Sequence, residues 1–318
     1  MARVAALALL VAAAAAGGGG VLVGIGGASP PSLVHVDAAS GRVVLTGPPL
    51  PGELVAQQLA ALDAGRGLFY ALGYDTAKQR TNLLTLNASS GALLGRVLVP
   101  ALFEPDLVGV GQALAVDAAS GHLVAMGRRS AGAPHEVGLL DPASGAFAPL
   151  VNLSRALGDD MSCVAAVDSA TGRALVGVAD KGTSEFALVE LAAPFRVTPV
   201  PESYGDGDNL QALGFDAAAR AFVGLGISPD TMHRTVVRFN DTTLAWSVVG
   251  NVTGFLVMMG PIAAVDESAN VVYFMAAKGE TTSPFYVVGT SLADAAVVSA
   301  SKGPLAAPEP WSLAWLPH

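Results

Sequence analysis

The chain contains a single cysteine, Cys163, among its 318 residues. An intrachain disulfide is therefore excluded, and the fold has to be held together by packing and hydrogen bonds. The cysteine lies in the apolar stretch SCVAAVD. A small thiol in such a stretch is typical of a buried core residue and not of a reactive nucleophile.

Charged residues are also scarce, at 14% of the chain, and the 17 basic residues are outnumbered by 26 acidic ones, which gives a formal net charge of −9. Affinity for nucleic acid comes mainly from Lys and Arg side chains that neutralise phosphates. The composition therefore argues against a nucleic-acid partner. We expect the folded protein to be a monomer.

Long apolar runs are absent beyond the N-terminus. Residues 1–16 carry one charged residue, Arg3, followed by VAALALLVAAAAA. A short basic region, an apolar region and small residues at its end are typical of a secretory signal peptide. We expect cleavage near Ala16 and a secreted protein with a single domain over residues 17–318 and no membrane span. The alternatives are cleavage after Ala28, or an uncleaved signal anchor that tethers the protein to a membrane.

Four Asn-x-Ser/Thr sequons are consistent with passage through the secretory pathway, because this motif is the acceptor for N-glycosylation. They are Asn87, Asn152, Asn240 and Asn251. Together with the signal peptide, they predict a secreted glycoprotein.

Helical spacing of apolar residues is hard to find beyond the N-terminus, and short Val, Leu and Ala runs recur instead between Asp, Ser, Gly and Pro. This pattern predicts an all-β protein. One phrase appears five times, as in LAVDAASGHLVAMG: an apolar strand, an Asp, a short turn and a second apolar strand. Its aspartates, called the turn aspartates below, are Asp63, Asp117, Asp168, Asp216 and Asp266.

A second phrase, as in LVHVDAASGRVVLTG, alternates with the first, and both recur about every 50 residues. Its marker residues are Asp37, Asn87, Asp141, Glu190 and Asn240. Each unit then holds two hairpins, or four antiparallel strands, which is typical of a β-propeller blade.

The turns of the repeat have consistent chemistry. Asp or Asn opens the turn, because its side chain accepts hydrogen bonds from backbone N–H groups just beyond it. A glycine such as Gly121 closes the turn where a positive φ is needed. In two units Asn270, a tolerable substitute, and Arg220, a poor fit, stand in its place. One Asp per turn is too few for a calcium loop, so we assign the turn aspartates a structural role.

The two ends of the chain predict how the ring closes. The stretch VLVGIG, Val21 to Gly26, matches the second strand of a unit, and the C-terminal WSLAWLPH matches a first strand. The N-terminal residues would supply strands two to four of a blade and the C-terminal residues strand one. This arrangement predicts a six-bladed β-propeller closed by hydrogen bonds between the ends, since an open ring would expose strand edges.

Through these apolar-Asp-x-x-x-Gly hairpins the chain resembles the broad superfamily of six- and seven-bladed propellers that includes YVTN/YncE-like and gluconolactonase-like proteins. The resemblance covers nearly the whole mature chain and implies the fold. A gluconolactonase-like propeller binds a divalent metal with acidic and Asn side chains at one mouth and opens lactones. Carried over to this chain, the resemblance implies a metal-binding or acid–base role for Asp160 and Asp208.

The spacing of these carboxylates is regular. Asp160 and Asp208 each lie eight residues before a turn aspartate, and Glu309 lies at about the corresponding place before the closing strand. Convergent oxygen ligands of this kind suit Ca²⁺, which would be the cofactor of such a site. The remaining blades have Val55, Gly109 and Met258 there, so the ring of ligands is incomplete. The alternative is that these acids are solvated at strand starts.

Further candidate ligand residues lie in the loops between blades and in those between second and third strands, where function on a rigid scaffold is usually found. They are Asp106, Asp159, Asp206, Asn209, Arg128, Arg129, His135, His233 and Arg234. Acidic and basic side chains at one mouth would recognise a polar or anionic partner. The alternative is that they keep a weakly charged protein soluble.

Two functions follow from the sequence. The first is a secreted, glycosylated propeller that binds an extracellular protein, a glycan or a small ligand without catalysis. The second is a Ca²⁺-dependent hydrolase or lactonase built on Asp160, Asp208 and Glu309. No G-x-S-x-G elbow or H-E-x-x-H motif is present. The binding module is therefore favoured, although the sequence leaves enzymatic activity open.

Overall fold

The alternating apolar runs form 25 strands in the part of the chain that the computed structural model describes, and these residues include no helix. Accordingly, they offer no helix of the length and apolarity needed to cross a membrane. Of the 25 strands, 24 form six four-stranded antiparallel blades arranged as a β-propeller, as the repeat predicts, and one further short strand adds to the first blade. The described residues are 9–12, 21–26, 30–50, 54–75, 77–78, 80–100, 113–128, 133–153, 162–180, 183–200, 209–227, 233–256, 263–266, 269–278, 285–301 and 314–316.

Blades two to four are each made of four consecutive strands that pair in chain order. Blade two consists of β5 (Leu54–Asp63), β6 (Leu68–Asp75), β7 (Arg80–Asn87) and β8 (Leu93–Leu98). Blade three consists of β9 (Ala113–Val116), β10 (Leu123–Gly127), β11 (His135–Leu140) and β12 (Phe147–Leu153). Blade four consists of β13 (Ser162–Asp168), β14 (Arg173–Asp180), β15 (Thr183–Glu190) and β16 (Val197–Val200).

Blades five and six follow the same plan and are joined at one point. Blade five consists of β17 (Asn209–Asp216), β18 (Ala221–Ile227), β19 (His233–Asn240) and β20 (Ala245–Leu256). Blade six consists of β21 (Ala263–Asp266), β22 (Val271–Lys278), β23 (Phe285–Ser291) and β24 (Val297–Ala300). The end of the long strand β20 pairs with the end of β22, at Phe255–Lys278 and Leu256–Ala277.

Blade one closes the ring with both ends of the chain, as predicted. It contains β1 (Leu9–Ala12), β2 (Val21–Gly26), β3 (Ser32–Asp37), β4 (Arg42–Pro49) and β25 (Ala314–Leu316). The C-terminal strand β25 pairs antiparallel with β2, Trp315 opposite Leu22 and Ala314 opposite Val23. The short strand β1 lies within the predicted signal peptide and pairs with both β2 and β25.

The hydrophobic core lies between neighbouring blades. Val23 and Ile25 of blade one are fully buried and pack in one cluster with Phe69 and Leu84 of blade two. Similar clusters join the other blades, because each sheet buries side chains on both of its faces. Burial of one such side chain stabilises the fold by roughly 1.5–3 kcal/mol.

The tight turns adopt the backbone that the sequence predicts. Glycines close six of them with φ between 64° and 79°, as at Gly121. Arg220 and Asn270 take the same left-handed conformation, with φ of 49° and 54°. Tight turns within the blades join first strands to second strands and third strands to fourth strands. The end of the propeller that carries these turns is called the turn face below. The opposite end, which carries the connections between second and third strands and between blades, is called the loop face.

Candidate functional site

The turn aspartates shape the centre of the turn face. Each ends an inner strand or directly follows it, and accepts a hydrogen bond from a backbone N–H of its own turn, for example Ala170 N to Asp168 Oδ1 at 3.0 Å. Neighbouring hydroxyl groups add to this, such as Thr171 Oγ1 to Asp168 Oδ2 at 2.6 Å. These contacts confirm the structural role predicted for the turn aspartates.

Arginines neutralise several of these buried carboxylates. Asp63 is 2% exposed and lies 2.6 Å from Nη1 of Arg66 in the same turn. Asp168 lies 3.5 Å from Nη2 of Arg220 in the next blade. Within the described residues, no three His, Cys, Asp or Glu side chains are grouped so that they would hold a metal ion.

A cavity of about 510 Å³ lies at the turn face, where the central channel opens between five inner strands. Its wall is an apolar collar in which each of blades two to six contributes the residue just before its turn aspartate. Because the repeat is regular, these five side chains stand at the same level around the channel. The collar consists of Leu62, Val116, Val167, Phe215 and Val265.

The register of blade one places a sixth residue at the collar position. In blade three, Val116 of the collar lies opposite Leu123 of the second strand. In blade one, Trp315 lies opposite Leu22, which is the matching position of its second strand. The C-terminal strand therefore supplies the residue at this register position in blade one.

The rim of the cavity is made of turn residues that are small or polar. Ala64, Ala118 and Ala217 each follow a turn aspartate and leave the mouth open. Polar groups come from Ser169, Asp168 and Arg220, which also line the cavity. A hydrogen bond of 2.9 Å from Ala118 N to Ser169 Oγ ties the rims of blades three and four together.

Most of the loop-face residues predicted from the sequence lie outside the described residues, so their arrangement stays a prediction. These are the three candidate calcium ligands, Asp160, Asp208 and Glu309, and the loop residues Asp106, Asp159, Asp206 and Arg129. For Asn209 and His233 the backbone is described: they begin β17 and β19, opposite Ile227 and Leu256.

Three of the candidates are described in full, and they are buried at strand ends near the loop face. Arg128 directly follows β10 and is 2% exposed, and His135 begins β11 and is fully buried. Arg234 in β19 is 2% exposed. Burial lowers the pKa of the Arg234 guanidinium to about 10. The structure thus places them beneath the loop face rather than in exposed loops.

Cys163 lies in the core between blades three and four, as its sequence context predicts. Burial raises the pKa of its thiol, and Arg128 opposes this only in part. A thiol that stays protonated in an apolar environment is a poor nucleophile.

The four sequons lie on the surface in two structural settings. Asn87 and Asn240 open turns between third and fourth strands, and their side-chain oxygens accept backbone N–H groups of those turns at 2.9–3.0 Å. Asn152 and Asn251 lie in the outer strands β12 and β20 and are exposed. Asn240 is also exposed, while Asn87 is partly exposed.

The sequence does not single out the cavity, because its charged and polar candidate residues lie toward the loop face. A signal for the cavity was nevertheless present, since every copy of the first phrase has an apolar residue before its Asp and most have a small residue after it. In a closed ring, the first set lines the channel and the second leaves its mouth open.

The fold and the channel define a six-bladed β-propeller with an apolar cavity at one mouth. No protein-family model and no curated protein sequence matches the chain. Solved structures are similar to it in fold. A chain of the nidogen/laminin complex aligns with a TM-score of 0.59 at 10% identity, over 89% of this chain and 93% of that one.

Two further propellers align similarly. TolB from Acinetobacter baumannii has a TM-score of 0.57 at 11% identity, over 91% of this chain and 63% of that one. The β-propeller domain of Myceliophteria thermophila Cps50 (Swd1) has a TM-score of 0.56 at 10% identity, over 94% of this chain and 86% of that one. At such identities the similarity concerns the fold alone.

Proposed function

We propose that this chain is a secreted, glycosylated β-propeller that acts as a non-catalytic binding module and takes its ligand in the cavity of the turn face. The observation that carries the proposal is the cavity itself. Its volume of about 510 Å³ falls within the range of about 300–1,000 Å³ that is typical of small-molecule sites. An apolar wall with a few polar groups at its rim is also typical of such sites.

The cavity is suited to binding because strands, and not loops, build its wall. The collar residues lie on inner strands that are paired over four to seven residues, as at β9–β10 and β13–β14. The rims of neighbouring blades are held by contacts such as Ala118 N to Ser169 Oγ. A preformed wall reduces the ordering cost of binding, so more of the contact energy appears as affinity.

The N-terminal apolar run and the sequons support the secreted, glycosylated part of the proposal. Asn152, Asn240 and Asn251 are exposed, as glycan attachment requires. Expression in a eukaryotic secretory host tests both points. We expect the protein in the medium, shortened at its N-terminus, with a gel mobility that N-glycosidase and Asn→Gln substitution both change. Retention of full-length, unmodified protein in the cells would contradict it.

Binding in the cavity is tested with a matched pair of turn variants. Ala170 lines the cavity, whereas Ala143 occupies the equivalent place in a turn between third and fourth strands of blade three. Both are exposed, and each donates its backbone N–H to the Asp two residues earlier, at 3.0 and 2.8 Å. Ala170→Trp should therefore obstruct the cavity, while Ala143→Trp adds the same side chain elsewhere.

The probe is anilinonaphthalene sulfonate, whose fluorescence rises in apolar sites. We expect saturable binding to the folded wild type and to Ala143→Trp, with an affinity at least about tenfold lower for Ala170→Trp. The melting temperatures of the two variants report whether both are folded. Equal binding by the two variants, or no saturable binding by the wild type, would contradict the proposal.

A protein or glycan partner at the same mouth is compatible with this function. A propeller of similar fold occurs in a nidogen/laminin complex, which is consistent with a binding role for the scaffold. The calcium-dependent lactonase suggested by the resemblance to gluconolactonase-like propellers gains no support from the described residues, because its three carboxylates lie outside them.

A further inference from the structure

We propose that the ligand of the cavity is a small monocarboxylate with an apolar body, and that Arg220 binds its carboxylate. The inference rests on the binding function proposed above and specifies the chemistry of that site. It follows from the contacts of the two charged residues of the rim, Arg220 and Asp168.

Arg220 is held more loosely than Arg66 and Arg173, two other arginines of the turn face. Its Nη2 lies 3.5 Å from Asp168 Oδ2, and its side chain is 62% exposed. By contrast, Arg66 lies 2.6 Å from Asp63, and Arg173 lies 2.9 Å from Asp241. Since a guanidinium has five donors in a planar fork, Arg220 retains donors for a ligand while it borders Asp168.

The carboxylate of Asp168 is already engaged by its own turn. Its Oδ1 accepts the N–H of Ala170 at 3.0 Å and its Oδ2 accepts the hydroxyl of Thr171 at 2.6 Å. Both oxygens of Asp168 therefore accept hydrogen bonds within the turn, whereas Arg220 makes only a 3.5 Å contact with Asp168 and keeps N–H donors for a ligand. A carboxylate is the acceptor that matches a guanidinium in a bidentate pair.

The surrounding charges disfavour a ligand with more than one negative charge. The five turn aspartates lie at the same end of the channel and make the background negative, although arginines neutralise part of it. A dianion would be repelled more strongly by this background than a monoanion. The collar, made of Val, Leu and Phe side chains, offers no partner for a second polar group on the ligand body.

The test compares three ligands with the same alkyl chain, namely octanoate, octanol and octylamine, in ligand-observed NMR titrations with the folded protein. We expect octanoate to bind about five- to tenfold more tightly than octanol, the effect of a partly exposed charge-assisted contact. Octylamine should bind more weakly than octanol.

Three variants isolate the role of Arg220. Arg220→Asn removes the charge and keeps a residue that tolerates the left-handed backbone, because Asn270 occupies the equivalent position in blade six with φ of 54°. Arg220→Lys keeps the charge but loses the planar fork. Arg173→Asn removes a charge from an arginine that does not line the cavity.

The expected result is that Arg220→Asn reduces octanoate affinity to that of octanol and leaves octanol affinity unchanged. Arg220→Lys should restore part of the preference, and Arg173→Asn should behave as the wild type. Three outcomes would overturn this inference alone, for a protein that binds anilinonaphthalene sulfonate in the cavity. They are equal affinity for octanoate and octanol, tightest binding of octylamine, and no binding of any of the three ligands. Failure of the anilinonaphthalene sulfonate test would overturn the binding function as well.

Discussion

The close approach of blades one and two predicts that alanine at Gly91 costs much more stability than alanine at a matched turn glycine. Gly91 has φ of 72°, and a Cβ there would lie 2.8 Å from the Cα of Gly47 in the neighbouring blade. Gly172 has φ of 66°, and a Cβ there would meet nothing within 4 Å. Gly172→Ala therefore measures backbone strain alone, whereas Gly91→Ala adds overpacking between two blades.

The expected losses follow from these two contributions. A non-glycine residue in the left-handed region costs about 1–2 kcal/mol, which is the expected loss for Gly172→Ala. Overpacking costs about 1–3 kcal/mol more, so Gly91→Ala should lose about 2–5 kcal/mol. Gly47→Ala isolates the overpacking, since Gly47 has no positive φ and a Cβ there would lie 2.8 Å from Gly91 Cα.

The assay is urea unfolding followed by circular dichroism, with the midpoints compared at an unchanged m-value. All three variants keep the same side-chain chemistry, so differences in midpoint report local geometry. Equal losses for Gly91→Ala and Gly172→Ala, with no loss for Gly47→Ala, would refute the packing of blades one and two described above.

Four further outcomes are expected. Burial lowers the pKa of His35 from 6.5, although its hydrogen bond to the Ala88 carbonyl opposes this. The free energy of unfolding should therefore fall as the pH drops below 6.5 toward the folded-state pKa. His35→Gln should remove this pH dependence in denaturant unfolding. Hydrogen bonding by Lys78 lowers the pKa of Asp75 below 3.8. The contribution of Asp75 to stability should therefore be lost as the pH falls from about 3.8 through that lowered pKa. Lys78→Met should shift acid unfolding, measured by circular dichroism, to higher pH. EDTA should leave the melting temperature unchanged, whereas a decrease that Ca²⁺ reverses would favour the calcium-dependent alternative. Removal of residues 1–16 should preserve cooperative melting, but removal through residue 26 should abolish it, because Leu22, Val23 and Ile25 are fully buried and contribute about 5–9 kcal/mol together.

The fold was predictable because each hairpin of the repeat is determined by residues close together in the sequence. An Asp that opens a turn and a Gly that closes it fix each hairpin without knowledge of the distant chain. Asn270 adopts the left-handed backbone expected of it, and Arg220 does so although its residue type fits this position poorly. The pairing of β25 with β2 was also predictable, since each end of the chain matched one strand of a unit. Chain-distant pairing could be inferred here only because five complete units showed what the sixth required.

The site was less predictable, since it depends on ring closure and burial rather than on residue type. Val116 and Val265 look like ordinary core residues, and only the closed ring makes them the wall of a cavity. His135 and Arg234 carry polar groups, so the sequence favoured exposed loop positions for them. They are buried instead, because the strands extend past the predicted loop boundaries and enclose their side chains.

The ring closes where the C-terminal strand β25 pairs with β2, and this junction is called the seam below. Four successive residue pairs join β9 to β10 in blade three, whereas β25 meets β2 at Trp315 and Ala314. Amide hydrogens of β2 should therefore exchange through local opening of this seam, at a lower free energy than global unfolding. Because β25 contacts the inner strands β21 and β5 of the neighbouring blades, the same opening would break the ring of strands that surrounds the cavity. A ligand that binds only the closed ring would hold the seam shut and slow this exchange in proportion to its occupancy.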